Sequence, residues 1–187
     1  MSFADLENCM YKRRRRAQPA LTTSSAEADA AVRSSRYLQL NDGDFYRDRG
    51  VADAGENGSA LVFASNEQLA LLHSATEVYF DATFKVVPTI YYQLFTVFVP
   101  FADDAFPVLF AIMSRKTQTL YTKVFDMIRN LVPQFAPTSA MADFEEASVS
   151  AFQEVFRKYH SFMLLVPLRT GVDEACQQRR PEGGLHT

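Results

Sequence analysis

The sequence predicts an α/β fold in which an antiparallel three-strand meander belongs to a mixed sheet with flanking helices. Residues 78–87 (VYFDATFKVV) alternate apolar and polar side chains with a period of two, as a strand does. Residues 91–101 (YYQLFTVFVPF) and 106–113 (FPVLFAIM) are apolar runs rich in aromatic and β-branched residues, so they predict the second and third strands. Turn-forming residues at 88–89 and 102–105 separate these strands. Because 91–101 is apolar on both faces, we expect both faces of the sheet to be covered.

Segments on either side of the meander supply further elements. Ser65 and Gln68 have the spacing of a capping box, which predicts a helix over residues 66–75. Apolar residues from 120 to 132 recur on one helix face, and Pro133 ends that helix. The remaining predicted elements are a short strand at 37–40, a turn at 41–44, a loop at 47–59, a short strand or helix lead-in at 61–64, a strand at 138–142, a helix over 144–156 and a candidate last strand at 161–168.

Length and composition predict one folded domain with tails. The 187 residues are 48% hydrophobic and 13% aromatic, which is enough to bury one core. Residues 1–34 and 169–187 lack a hydrophobic period, so we expect both to be disordered and the domain to span residues 35–168. The formal net charge of −3 argues against a globally basic nucleic-acid binder. Any contact with DNA must therefore come from local patches.

The N-terminal segment carries a basic block and no apolar run of signal-peptide length. Later apolar runs are short or interrupted by proline, so we expect an intracellular protein without a membrane partner. Residues 12–16 (KRRRR), which include Arg13, Arg14 and Arg15, could act as a nuclear-localisation signal or hold DNA phosphates. A solvated run of charge with no specific role explains the same block.

Asp81 lies in the middle of the first strand of the meander, between aromatic neighbours. A charged carboxylate there loses solvation unless a metal ion, a basic partner or a hydrogen-bond donor faces it. Lys85 falls on the same side of the strand, so a salt bridge to Lys85 or another base is an alternative to a metal ion.

Asp143 follows the strand predicted at 138–142 and precedes a predicted helix. With Glu146 three residues later, Asp143 also fits a capping box as the N-cap residue. The two roles are compatible, because a carboxylate at such a junction can bind a metal through the oxygen that the cap leaves free.

Three segments together resemble the MULE-type transposases of Mutator-like elements, whose catalytic core has a ribonuclease H-like fold. The segments are residues 81–85 (DATFK), 91–94 (YYQL) and 141–145 (MADFE), in the family's order and spacing. Ala82 stands where the family pattern has glycine. The resemblance covers roughly residues 37–160 and implies a ribonuclease H-like sheet that is incomplete at its C-terminal end in this chain.

The resemblance also implies a site for metal-dependent DNA cleavage. Asp81 and Asp143 would come from adjacent strands and hold Mg²⁺ or Mn²⁺, and Lys85 would contact a DNA phosphate beside the metal. The family's third acid is a glutamate on a late helix. Glu154, Asp173 and Glu174 do not fit its position, so we expect the third acid to be missing.

We therefore expect a truncated transposase core whose metal-dependent strand cleavage and transfer are weak or absent. The expected partners are DNA and a homo-oligomer with the full-length transposase, and the expected location is the nucleus. A non-catalytic DNA-binding or protein-interaction module derived from a transposase is the first alternative. An unrelated α/β domain whose acids are structural is the second.

Overall fold

The structure of the chain is a computed structural model that describes residues 9, 12–13, 22–34, 39–40, 43–52, 58–102, 104–142, 145–156 and 163–165. The helices are α1 (Ser25–Arg33), α2 (Asn66–Ser74), α3 (Gln118–Leu131) and α4 (Glu146–Val155). The strands are β1 (Gln39–Leu40), β2 (Gly43–Asp44), β3 (Tyr46–Val51), β4 (Ser59–Phe63), β5 (Glu77–Phe84), β6 (Gln93–Phe101), β7 (Asp104–Met113), β8 (Ser139–Ala142) and β9 (Met163–Leu165). None of the helices in these ranges is long and apolar enough to cross a membrane.

One mixed sheet organises the fold, with the strand order β3-β4-β7-β6-β5-β8-β9. The neighbours β5, β6 and β7 are antiparallel, which confirms the predicted meander. β8 runs parallel to β5, and β9 runs parallel to β8. An α/β fold is therefore confirmed. Because β5 and β8 are parallel neighbours, their C-terminal ends meet at the same edge of the sheet.

One face of the sheet packs against α3 and α4. Apolar residues recur at helical spacing along α3, so one side of the helix is buried. Phe80 on β5, Phe125 on α3 and Phe152 on α4 contact one another, with ring centroids no more than 5.3 Å apart. Burying an aromatic side chain of this kind contributes roughly 1.5–3 kcal/mol. These contacts join the strand that carries Asp81 to both helices.

The opposite face carries a smaller core beneath α1. Its buried members are Ala28 on α1, Tyr46 on β3, Leu61 on β4, and Tyr91. Both faces of the sheet therefore carry buried side chains, as the apolar pattern of 91–101 predicts.

Helix α1 lies within the segment predicted to be disordered, so that prediction is wrong for residues 25–33. The Ser24 side chain accepts a hydrogen bond from the Glu27 backbone N–H and caps the helix. Arg33 forms salt bridges with Asp29 on the same helix and with Asp48 on β3, at 2.8 and 2.7 Å. The apolar side of α1 is made mostly of small residues, which give a weak sequence signal. Packing against the sheet stabilises this helix.

Two further predictions need correction. The loop predicted at 47–59 is wrong for β3, in which three consecutive polar residues lie between the buried Tyr46 and Gly50. Helix α3 crosses closely at Gly50, where a Cβ atom would lie 2.6 Å from the Met127 sulfur and the flexible Met127 side chain would have to move. The turn predicted at 102–105 is shorter, because Phe101 already pairs with Asp104.

The other elements agree with the sequence pattern. The Ser65–Gln68 capping box is present at the start of α2. Of the two alternatives predicted at 61–64, a strand or a helix lead-in, the structure has the strand, β4. The strand predicted at 138–142, the helix over 144–156 and the last strand within 161–168 correspond to β8, α4 and β9. The strand predicted at 37–40 corresponds to β1 where it is described, and the described part of the 41–44 turn is β2.

Candidate metal and nucleic-acid site

Asp81 lies on β5 just past the end of the parallel strand β8. Its neighbour Phe80 pairs with Ala142, the last residue of β8. The Asp81 side chain is exposed, and its Oδ2 accepts a hydrogen bond from Thr83 Oγ1 at 3.2 Å. Asp81 is therefore accessible on β5 at the point where the parallel strand β8 ends.

Lys85 does not neutralise Asp81. No salt bridge joins these two side chains, and among the described residues no Lys or Arg nitrogen lies within 4.0 Å of the Asp81 carboxylate. β5 ends at Phe84 and Lys85 has a φ of 64°, so the strand alternation does not extend to Lys85. The alternative of an Asp81–Lys85 salt bridge is wrong. A role for Lys85 in binding phosphate remains a prediction.

A small pocket of about 20 Å³ opens beside Asp81. A space of this size holds roughly one water molecule or a bare ion. The residues that line it are Phe80, Asp81, Ala82, Phe95, Ala142, Glu145 and Ser148. The pocket therefore lies between the end of β8 and the start of α4, and two carboxylate residues border it.

A hydrogen-bonded chain of buried side chains reaches this pocket. Gln93 on β6 donates from Nε2 to the Tyr121 hydroxyl oxygen at 2.5 Å, and the Tyr121 hydroxyl donates to Glu145 Oε2. Gln93 and Tyr121 are both 0% exposed. Burial, reinforced by the hydrogen bond to Glu145, raises the pKa of Tyr121 above its ordinary value. Tyr121 therefore stays protonated and holds the Glu145 side chain in place.

Glu145 is the residue that sequence reasoning missed as a site residue. The N-cap of α4 is Glu145, and its side chain makes no capping hydrogen bond. The capping box with Asp143 as N-cap is therefore wrong, because α4 begins two residues later. The feature of the sequence that could have identified Glu145 is its position at the end of the MADFE segment, next to the end of a predicted strand.

The predicted partner of Asp81 lies outside the described residues. Asp143 is in the gap between β8 and Glu145, so the pairing of Asp81 with Asp143 remains a prediction. Arg14 and Arg15 also lie outside the described residues, as do Asp173 and Glu174, whereas Arg13 is described and exposed. Glu154 accepts hydrogen bonds from Gln118 on α3 at 3.3 Å and from Thr122 at 3.4 Å. These bonds join α4 to α3 and support a structural role for Glu154.

The Asp81 carboxylate suits a hard divalent cation, because carboxylate oxygens are the side-chain ligands that Mg²⁺ and Mn²⁺ prefer. Asp81 and Glu145 both border the pocket, but the alternation along β5 directs the Asp81 side chain to the face opposite Phe80, whereas Glu145 bonds to Tyr121 on the face of α3. Within the described ranges, no three His, Cys, Asp or Glu side chains cluster as a metal site. Asp81 can therefore supply one ligand of a coordination shell, which Asp143 or a substrate oxygen would extend.

Fold and site together define an α/β domain with an accessible carboxylate on β5, beside the end of the parallel strand β8. Residues 77–164 match the family model described as the MULE transposase domain. This match confirms the resemblance for the segment that contains Asp81, the meander and α4. It begins later than the stretch of residues 37–160 that the motifs indicate. No curated protein matches this chain.

Proposed function

We propose that this protein is derived from a transposase and acts on DNA through a divalent-metal site at Asp81 and Asp143. The observation that carries the proposal is the position of Asp81 on β5, at the point where β5 extends beyond the end of the parallel strand β8. The Asp81 side chain is exposed there and has no basic partner among the described residues. This position falls inside the segment that matches the transposase domain. The order of three antiparallel strands followed by two parallel ones, β7-β6-β5-β8-β9, supports a ribonuclease H-like fold.

The chain's own residues would share the work of binding and orientation. A bound Mg²⁺ or Mn²⁺ would supply charge stabilisation at the phosphodiester and an activated water. Asp81 and Asp143 would hold the ion, and Lys85 would contact the phosphate from the end of β5. Tyr121 orients Glu145 at the pocket rim without a change in its own protonation.

We propose slow strand cleavage rather than efficient transposition. Only two of the three acids that the resemblance implies have an assigned position in this chain, and an incomplete ligand set positions the reacting groups poorly. A homo-oligomer with the full-length transposase would supply a complete site.

Nicking of supercoiled plasmid tests the proposed cleavage. We expect Mg²⁺-dependent nicking that falls at least about 100-fold in Asp81→Asn and Asp143→Asn. The matched control is Asp126→Asn, because Asp126 is an acid on α3 that pairs with Arg129 away from the pocket. Binding of Mn²⁺, measured by electron paramagnetic resonance, should weaken in the first two variants and not in the third.

Two results would contradict the proposal. Nicking by Asp81→Asn at the wild-type rate would exclude Asp81 from the chemistry. DNA binding without nicking, unchanged by both aspartate substitutions, would support the non-catalytic DNA-binding module instead.

We also propose that residues 12–16 direct the protein to the nucleus. A fusion to a fluorescent protein should accumulate in nuclei, and replacement of the five basic residues with glutamine should abolish the accumulation. Equal distribution of the unsubstituted fusion between nucleus and cytoplasm would overturn this proposal.

A further inference from the structure

A second and larger cleft lies at the start of α1, beside the end of β7 and the start of β4. Its volume is about 330 Å³, within the range of ligand-binding clefts. We propose that this cleft, defined by Arg49 and Arg115, binds a phosphate of the DNA backbone. The proposal rests on the proposed action on DNA and assigns a contact that neither Asp81 nor Lys85 provides.

The charge of the cleft favours an anion. Arg49 and Arg115 both line it, and neither forms a salt bridge with a carboxylate of the described residues. Arg33 differs, because it pairs with two aspartates. Guanidinium groups bind phosphate oxygens through paired N–H donors, so two of them facing one cleft provide a suitable phosphate site.

Arg49 has an unused donor at this site. Its Nη2 donates to Ser25 Oγ at 3.0 Å, which fixes the guanidinium against the start of α1. Its Nε is buried and has no hydrogen-bond partner within the described part of the chain. A buried donor without an acceptor is costly, so the guanidinium of Arg49 is incompletely paired within the described part of the fold.

Hydroxyl groups and a glycine complete the cleft. Five Ser or Thr residues line it, among them Ser25, Ser59 and Ser114, and hydroxyl groups are common donors to phosphate. Gly58 has a φ of 102°, and a Cβ atom there would lie 2.7 Å from Ser114 Oγ and 3.2 Å from Arg115 Cγ. A side chain at Gly58 would therefore displace the groups that border the cleft.

Strand register places the cleft on the same face as Asp81. A row of paired residues runs across five neighbouring strands and consists of Thr83, Leu94, Ile112, Leu61 and Arg49. Thr83 is the residue that donates to Asp81, and side chains two apart on a strand share a face. Four strand spacings of about 4.8 Å give a separation of about 19 Å. At about 3.4 Å per nucleotide, one DNA strand could contact both sites five or six nucleotides apart.

Fluorescence anisotropy with a labelled 20-base-pair duplex tests this assignment. We expect Arg115→Gln and Arg49→Gln each to weaken DNA binding about tenfold or more, because each removes charge-assisted hydrogen bonds to phosphate. Each substitution should also lower the slope of log affinity against log salt by about one. Arg129→Gln is the matched control, since Arg129 lies on α3 across the sheet, and should stay within about twofold of wild type.

Separate control variants distinguish a loss of folding from a loss of function. Arg115 is exposed, so Arg115→Gln should keep the wild-type unfolding midpoint. Arg49→Gln also removes the hydrogen bond between Arg49 and Ser25, so Arg115→Gln tests the phosphate assignment without a change in the packing of α1. Asp81→Asn should lose nicking and retain DNA affinity. A failure of catalysis therefore appears in Asp81→Asn, and a failure of the phosphate assignment appears in the arginine variants.

Two outcomes would overturn the assignment. One is wild-type affinity and salt slope in both arginine variants. The other is thermal stabilisation of the wild type by inorganic pyrophosphate, lost in Arg115→Gln while DNA affinity is unchanged, which would identify a site for free phosphate. Parallel losses of pyrophosphate stabilisation and DNA affinity would support a backbone phosphate.

Discussion

The Tyr121 hydroxyl donates a hydrogen bond to the Glu145 carboxylate, and this bond joins the middle of the fold to the rim of the candidate metal pocket. Tyr121 in turn accepts a hydrogen bond from Gln93 on the central strand β6. Three elements distant in sequence therefore converge through buried polar side chains. Glu145 follows Asp143 by two residues, so the same chain of bonds anchors the segment next to the predicted metal ligand.

Substitution of Tyr121 by phenylalanine should destabilise the protein by about 1–3 kcal/mol, because it removes the hydrogen bond to Glu145 and leaves the buried Gln93 amide with only the Met113 sulfur as acceptor. Urea unfolding measures the change. Tyr91→Phe is the matched control, since the buried Tyr91 hydroxyl has no hydrogen-bond partner among the described residues. We expect that control to change stability by less than about 0.5 kcal/mol. Equal costs for the two variants would show that the Tyr121 hydrogen bonds contribute nothing specific.

Stability should fall as the pH rises above about 10, where tyrosines of the unfolded chain ionise. Burial raises the pKa of Tyr46 and Tyr121 above the ordinary value and raises that of Tyr91 to about 12. The folded state thus keeps protons that the unfolded state loses, and this contribution is fully present below pH 10. Urea midpoints between pH 8 and 11 measure the decline, which should be shallower in Tyr91→Phe. Ionisation of all tyrosines near pH 10 in the folded protein, read from tyrosinate absorbance, would contradict this expectation.

The backbone of Lys85 is strained, and substitutions of this residue should separate the cost of that strain from the contribution of its charge to DNA binding. Its φ of 64° is unfavourable for a residue with a side chain, so Lys85→Gly should raise the free energy of unfolding by up to about 1 kcal/mol. DNA affinity should fall in the same variant. Lys85→Gln keeps the strain and removes the charge, so its stability should stay near wild type while its DNA affinity falls equally. Wild-type DNA binding by Lys85→Gln would exclude the predicted phosphate contact.

Gly58→Ala should destabilise the fold by about 1–3 kcal/mol, because the added Cβ meets Ser114 and the backbone has a φ of 102°. Gly50→Ala is the comparison. Its Cβ would meet only the flexible Met127 and Lys123 side chains, and its backbone lies outside the left-handed region. Thermal unfolding should therefore show the larger loss in Gly58→Ala. The reverse order would mean that close packing by α3 outweighs backbone strain.

The sequence predicts elements well where the pattern is local and strong. The alternation around Asp81 and the two apolar runs after it predict β5, β6 and β7, and the Ser65–Gln68 capping box predicts the start of α2. The same patterns fail for α1 and β3, which are short and largely polar. Each of these two elements is stabilised by contact with the other and with the sheet, and such contacts leave little trace in a local window.

Some residues of the candidate sites can likewise be recognised in the sequence, and others cannot. Asp81 stands out in the sequence because a charge interrupts an apolar strand, whereas Glu145 and Arg49 resemble ordinary surface residues. Their importance arises from partners far along the chain, Tyr121 for Glu145 and Ser25 for Arg49.

By itself the sequence determined the α/β class, the meander and the acid on its first strand, because side-chain periodicity and helix capping act over a few residues. Only the tertiary structure decided that β8 lies parallel to β5, that Tyr121 holds Glu145 at the pocket, and that Arg49 shares a face with Asp81. Those relationships depend on strand register and packing between distant segments, which no local pattern specifies.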